Sequence, residues 1–198
     1  MTKIAVLVSG GGTNLQALID AWKDGSLADG ELSLVISSVQ DAFALERAKK
    51  ANIKTITIER KQFADICAFD SALVSALREE KINLIVLAGF LSVLGTQVLQ
   101  SFENKIINVH PSLIPAFCGK GFYGLRVHKA ALEYGVKITG ATVHFVTDVV
   151  DGGKIILQKA VDVLPADTPE TLQQRVMKEC EWTLLPQAVS MFCKGEID

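Results

Sequence analysis

Apolar residues in this chain come in short runs separated by glycines and by stretches with helical spacing. The run over 3–9, which includes Ile4, Val6 and Val8, is continuous rather than alternating, as expected of a strand covered on both faces. Gly10, Gly11 and Gly12 turn the chain at its end, and Asn14, Leu15, Leu18, Ile19 and Trp22 then recur on one helical face up to a break near Gly25. The unit repeats in kind. Strands are expected at 32–37, 55–58, 84–88 and 105–109. Helices are expected at 41–51, opened by Asp41, at 66–80, and briefly at 95–102.

The segment 111–124 reads as a loop, followed by a helix over 125–134. Two longer strands, 138–146 and 154–163, then flank a turn through Asp151, Gly152 and Gly153, which suits an antiparallel pair. Thr168 caps a last helix with Pro169 at its first position, and Leu172, Val176, Trp182, Leu185, Val189 and Phe192 give it an inward face. Such alternation implies an α/β fold: a doubly wound, mostly parallel sheet with an antiparallel C-terminal strand pair, in one domain over 1–198. Crossovers between parallel strands are right-handed, so helices cover both faces and ligands bind outside the carboxyl ends of the strands.

The turn Ser9-Gly10-Gly11-Gly12-Thr13-Asn14 joins a buried strand to a helix, where unpaired amides and the helix dipole attract an anion such as phosphate. Leu15 stands where a dinucleotide fingerprint needs its third glycine, and the second strand closes without an acidic residue. No lysine follows the glycines as a nucleoside-triphosphate loop requires. The alternative is a tight turn capped by Thr13 or Asn14.

Asn108-Val109-His110 ends the strand at 105–109 with Asn108 and His110 on one side, because strand side chains alternate. A carboxamide N–H beside an imidazole is the donor set that a developing oxyanion needs. Asp151, on its glycine-flanked loop, supplies a carboxylate that favours imidazolium and accepts a proton. Taken singly, Asn108 could bond backbone at the strand end, His110 could pack in a satisfied pocket and Asp151 could cap a turn. His128 lies in an expected helix and His144 mid-strand, which favours structural roles; their spacing from His110 matches no short metal motif. There is no Gly-x-Ser-x-Gly elbow, and Cys118 has no evident paired base, so direct attack by substrate is favoured over a covalent intermediate.

Composition narrows the class further. With 20 basic and 22 acidic residues, the chain lacks the excess of positive charge that holds nucleic acid. No apolar run approaches the roughly 20 residues of a membrane-spanning helix. The chain opens directly on its first strand, and its four cysteines form no C-x-x-C pair, so a cytoplasmic location with free thiols and no metal is expected.

The motifs Asn108-Val109-His110-Pro111-Ser112-Leu113-Ile114-Pro115 and Asp148-x-x-Asp151-Gly152-Gly153 resemble those of the folate-dependent formyltransferases. Ser9 to Gln16, Leu87 to Phe90 and Gly140 to Val146 extend the resemblance over nearly the whole chain. It implies transfer of a formyl group from 10-formyltetrahydrofolate, a co-substrate, to the amine of glycinamide ribonucleotide in the third step of purine synthesis. Neither metal, nucleic acid nor membrane is involved, and a homodimer is compatible with it. By this resemblance Gly12, Thr13 and Asn14 hold the ribotide phosphate, Gly89 lies along that substrate and Glu181 binds its ribose. Phe90, Leu91, Ser92, Leu94, Val146, Thr147 and Asp148 surround the pterin of the folate. Asn108, His110 and Asp151 carry the chemistry. The half over about 1–100 then serves the phosphate, and the half over about 101–198 the folate and catalysis. Ser92 and Ile66 depart from arginines frequent in the family. The rivals are enzymes of the same core that formylate methionyl-tRNA or hydrolyse formyltetrahydrofolate; both carry an added domain, which the length of this chain disfavours.

Overall fold

The computed structural model describes residues 1–197. Its seven strands are β1 (Thr2–Val8), β2 (Gly30–Ser37), β3 (Lys54–Thr57), β4 (Leu84–Leu87), β5 (Ile106–His110), β6 (Ile138–Phe145) and β7 (Ile155–Asp162), in one sheet ordered β3-β2-β1-β4-β5-β6-β7. The first five are parallel, and β6 runs antiparallel to both β5 and β7. The helices are α1 (Thr13–Lys23), α2 (Phe43–Lys50), α3 (Ile66–Glu79), α4 (Thr96–Ser101), α5 (Leu125–Tyr134), α6 (Pro169–Val176) and α7 (Trp182–Cys193). The doubly wound α/β expectation therefore holds.

The continuous apolar runs are explained by burial on both faces. In β1, Ile4, Val6 and Val8 pack with α1, α2, α6 and α7, while Ala5 and Leu7 face Phe69, Leu73 and Leu77 of α3. A fully buried side chain of this size contributes about 1.5 to 3 kcal/mol, so neither face can become polar without loss of the core. After β1 the chain builds outward through β2 and β3, then returns to lay β4 on the other side of β1. That reversal opens a crevice between the carboxyl ends of β1 and β4, the place where open α/β sheets bind ligands.

Two local expectations need correction, and one short element is additional to them. Helix α2 begins at Phe43, with Ala42 as its N-cap and no side-chain cap, so Asp41 does not open it. A 3₁₀ turn, Arg60–Gln62, precedes α3. The last helix is interrupted by a π-helical turn, Met177–Glu181, which separates α6 from α7. Its opening is as expected: Thr168 accepts from the Thr171 amide, Thr171 accepts from the Thr168 amide, and Pro169 stands at the first position.

Candidate active site

The crevice deepens into a cavity of about 670 Å³ at the carboxyl ends of β1, β4 and β5. All fifteen residues singled out from the sequence line it: Gly12, Thr13, Asn14, Gly89, Phe90, Leu91, Ser92, Leu94, Asn108, His110, Val146, Thr147, Asp148, Asp151 and Glu181. A larger hollow of about 910 Å³ lies between α1 and α7 and shares only Thr13 with it. Asn108, His110, Asp151 and Glu181 do not line that hollow, so volume alone does not mark the site.

At one end of the cavity is the glycine turn. Gly12 is the N-cap of α1 at φ 71°, and no acidic residue occupies the first turn of that helix. A Cβ on Gly12 would lie 2.6 Å from that of Ala44, so the turn and α2 meet too closely for any side chain there. Helix α1 thus presents its positive end to the cavity without a capping side chain. Ser9 braces the neighbouring wall: its hydroxyl is 2.6 Å from that of Ser38 and accepts from the Leu91 amide at 2.8 Å.

Glu181 reaches the same end from the π-helical turn. It is buried, and its Oε2 accepts from Asn14 Nδ2 at 2.6 Å, whereas Glu179 two residues earlier is exposed. Burial pushes the Glu181 carboxyl up to about 7, against the opposing effect of the Asn14 hydrogen bond. Asn14 Oδ1 is buried beside it with no protein partner.

Asn108, His110 and Asp151 meet at the centre. Strand β5 carries the first two, and Asn108 pairs with Leu87 of β4 on one side and His144 of β6 on the other. Cross-strand partners project from one face. With the His144 ring neutral, Asn108 Nδ2 donates to His144 Nε2 at 3.1 Å. The direction follows from the other ring nitrogen, since His144 Nδ1 is 2.7 Å from the Phe145 carbonyl, which can only accept. A carboxamide has two N–H groups, so Asn108 keeps one for a ligand.

Asp151 sits at φ 55° on the turn before β7, a conformation that Asp tolerates better than most residues. Gly153 beyond it leaves no room for a Cβ, which would run into the Phe145 carbonyl. The Asp151 carboxylate lies 3.6 Å from His110 Nδ1 and 3.7 Å from His144 Nε2, and it accepts from the Gly119 amide at 2.8 Å. Burial pushes its pKa up, but the His144 contact, the Gly119 amide and the His110 charge outweigh that and leave it below the usual carboxylate value.

Two features were not legible from the sequence. His144, read as structural, is part of the cluster; only the β5–β6 register reveals it. The loop after Pro111 also enters the site, because the Phe117 carbonyl accepts from His110 Nε2 at 2.9 Å. Both His110 nitrogens are thus held by protein groups. In this arrangement the ring offers the cavity its charge when protonated, rather than a free N–H. His128, also read as structural, is fully buried at the cavity wall with neither ring nitrogen hydrogen-bonded.

The exposed lining of the cavity is mixed: beside Lys120, Thr147 and Asp148 lies an apolar stretch. In it Leu91, Val93, Tyr123, Val149 and Val150 are exposed by between 47% and 71%, an uncovered surface suited to a flat aromatic ligand. Among the described residues no group of three or more His, Cys, Asp or Glu could hold a metal ion, and no helix is long and apolar enough to cross a membrane.

The sequence profile described as formyl transferase matches residues 2–189. Phosphoribosylglycinamide formyltransferase of Haemophilus influenzae is 40% identical over 197 residues, covering 100% of this chain and 90% of the relative. The trifunctional purine biosynthetic protein adenosine-3 of Gallus gallus is 44% identical over 195 residues, and this chain spans only 19% of its length. Among solved structures, glycinamide ribonucleotide transformylase 1 of Symbiobacterium toebii superposes with a TM-score of 0.93 at 43% identity, covering 98% of this chain and 89% of that one.

Proposed function

The chain belongs to the formyl transferase family, and on that premise we propose that it transfers the formyl group of 10-formyltetrahydrofolate to the amine of glycinamide ribonucleotide, in the third step of purine biosynthesis. The observation that carries this reading is a single cavity with an anion-binding turn at one end, an exposed apolar stretch at the other, and Asn108, His110 and Asp151 between them.

The ribotide phosphate sits on Gly12, Thr13 and Asn14 at the positive end of α1. Glu181 and Asn14 meet the ribose hydroxyls, with Glu181 Oε1 and Asn14 Oδ1 as acceptors, and Gly89 lies along the substrate. The rings of the folate enter at the apolar stretch, against Phe90, Leu91, Ser92 and Leu94 on one side and Val146, Thr147 and Asp148 on the other. This geometry sets the amine beside the formyl carbon, and such alignment removes much of the entropic barrier to a two-substrate reaction.

In the reaction the amine nitrogen bonds to the formyl carbon, and the bond from that carbon to N10 of the folate breaks. One proton leaves the amine, and one is delivered to N10. The free N–H of Asn108 donates to the developing oxyanion, and protonated His110 stabilises it by charge in a site screened from water. Asp151 holds that charge in place and takes part in the proton transfer, through a water if needed. No step calls for a covalent enzyme intermediate, and no second copy of the chain is required, since every group comes from one chain. The reaction is placed in the cytoplasm, where the free thiols Cys67, Cys118, Cys180 and Cys193 would stay reduced.

The test is formyl transfer with glycinamide ribonucleotide as acceptor, run beside methionyl-tRNA formylation and hydrolysis of the donor. The expected outcome is fast transfer to the ribotide alone. Faster formylation of methionyl-tRNA, or hydrolysis that ignores the ribotide, would reject the reading.

A further inference from the structure

Helix α2 supplies no residue to the wall of the catalytic cavity among the described residues, yet it holds the glycine turn that does. The Ala44 amide donates to the Gly10 carbonyl at 3.0 Å. One turn further along α2, Arg47 Nε donates to the Gly11 carbonyl at 2.8 Å. In a trans peptide the carbonyl and the following N–H point in opposite directions. Two successive carbonyls drawn toward α2 therefore turn the Gly11 and Gly12 amides away from it, to the side where these glycines line the cavity. Neither amide has a protein acceptor among the described residues. Successive amides turned the same way form a concave anion site.

The Arg47 head group is itself fixed. Its Nη1 donates to Gln16 Oε1 on α1 at 3.0 Å, and the guanidinium lies 5.0 Å from the centre of the Phe43 ring. Arginine suits this position because its fork reaches the Gly11 carbonyl and Gln16 together, keeps its charge at every physiological pH, and stacks on an aromatic face. The Ala44 bond is backbone to backbone and would survive any side-chain change, so Arg47 alone sets the second peptide plane by means of its side chain.

We propose that Arg47 is a positioning residue for the ribotide phosphate. It locks the Gly11–Gly12 peptide so that the Gly12 amide faces the phosphate, and it places a positive charge behind the turn without touching the substrate. This inference rests on the assignment of the glycine turn to that phosphate.

Steady-state kinetics of Arg47→Met and Arg47→Lys, with glycinamide ribonucleotide and with the same riboside lacking its phosphate, test the proposal. For Arg47→Met the expected result is a KM for the ribotide raised about tenfold, the loss of one charge-assisted interaction. Its kcat and its KM for the formyl donor should stay close to those of the unsubstituted enzyme, and the penalty should vanish with the riboside. Arg47→Lys keeps a donor and the charge and should recover part of the ribotide affinity. Equal losses on ribotide and riboside, or an unchanged KM for the ribotide, would overturn the proposal. Were the unsubstituted enzyme to use the riboside as well as the ribotide, the phosphate assignment itself would fail, and the role of Arg47 with it.

Discussion

Replacing Asp151 with asparagine probes the centre of the proposed mechanism with little change of shape. The amide oxygen of asparagine can still accept from the Gly119 amide, which now bonds the carboxylate at 2.8 Å. What disappears is the negative charge 3.6 Å from His110 Nδ1 and 3.7 Å from His144 Nε2. A pair of unit charges at 3.6 Å interacts by about 4.6 kcal/mol at an effective dielectric near 20. Part of that is offset by the desolvation of the carboxylate, so the loss of transition-state stabilisation is expected to be at least about 2.7 kcal/mol, a hundredfold in kcat/KM. The assay is formyl transfer to glycinamide ribonucleotide by Asp151→Asn across pH 5 to 9, with thermal unfolding as a control for folding. Because the folded-state pKa of Asp151 lies below its ordinary value of 3.8, the carboxylate stabilises the fold above that value and this contribution is lost as pH falls through the depressed pKa. The stability gap between the two proteins should therefore close in strong acid, whereas the gap in activity persists at neutral pH. Turnover within threefold of the unsubstituted enzyme would refute the role given to Asp151.

Three further outcomes are expected. The Glu181 carboxyl, raised from 4.5 to about 7 by burial, favours the folded state most below about 4.5, and that contribution is lost as pH rises through about 7. Melting temperatures of Glu181→Gln should therefore improve relative to the unsubstituted chain between pH 4 and pH 8, and a constant difference would contradict the buried carboxyl. Burial and the nearby His110 charge hold His128 down at about 4, so its neutral form favours the fold above 6.5 and that contribution is lost as pH falls through about 4. His128→Leu should remove roughly 3 kcal/mol of this acid sensitivity, seen as a flatter stability profile from pH 7 to pH 4; an unchanged profile would count against it. Gly12→Ala combines a φ of 71° with a Cβ 2.6 Å from Ala44, and should cost about 1 to 3 kcal/mol in denaturant unfolding; unaltered stability would mean that α2 does not press on the turn.

The parts of this protein that were legible in its sequence are those set by nearest neighbours along the chain. Burial on both faces makes Ile4 to Val8 and Leu84 to Leu87 continuously apolar, which a strand in a covered parallel sheet must be. Alternation alone puts Asn108 and His110 on one side of β5. The glycine turn before α1 and the Asp-Gly-Gly turn mark close backbone approaches, which Gly12 makes to Ala44 and Gly153 to the Phe145 carbonyl. What stayed hidden depends on pairings between distant segments. The bond from Asn108 to His144 exists because β6 returns antiparallel beside β5 in one register, and no local pattern states that register. The Phe117 carbonyl and the Gly119 amide act through the backbone, whose partners leave no mark on residue type. The π-helical turn adds a local change of spacing to an otherwise helical apolar face, so the sequence suggested one unbroken helix. Yet that turn is where Glu181 enters the cavity while Glu179 remains outside. Arg47 was invisible for the same reason as Phe117: its partner is a glycine carbonyl.

The most direct measurement is a crystal structure of the protein with glycinamide ribonucleotide and a folate analogue that carries its carbonyl at the formyl position but cannot transfer it. The account requires the carbonyl oxygen within hydrogen-bonding distance of Asn108 Nδ2, the ribotide amine roughly 3 to 3.5 Å from the carbonyl carbon, and the phosphate on the Gly12 and Thr13 amides. A carbonyl facing away from Asn108 and His110, or a phosphate bound anywhere other than the glycine turn, would contradict it.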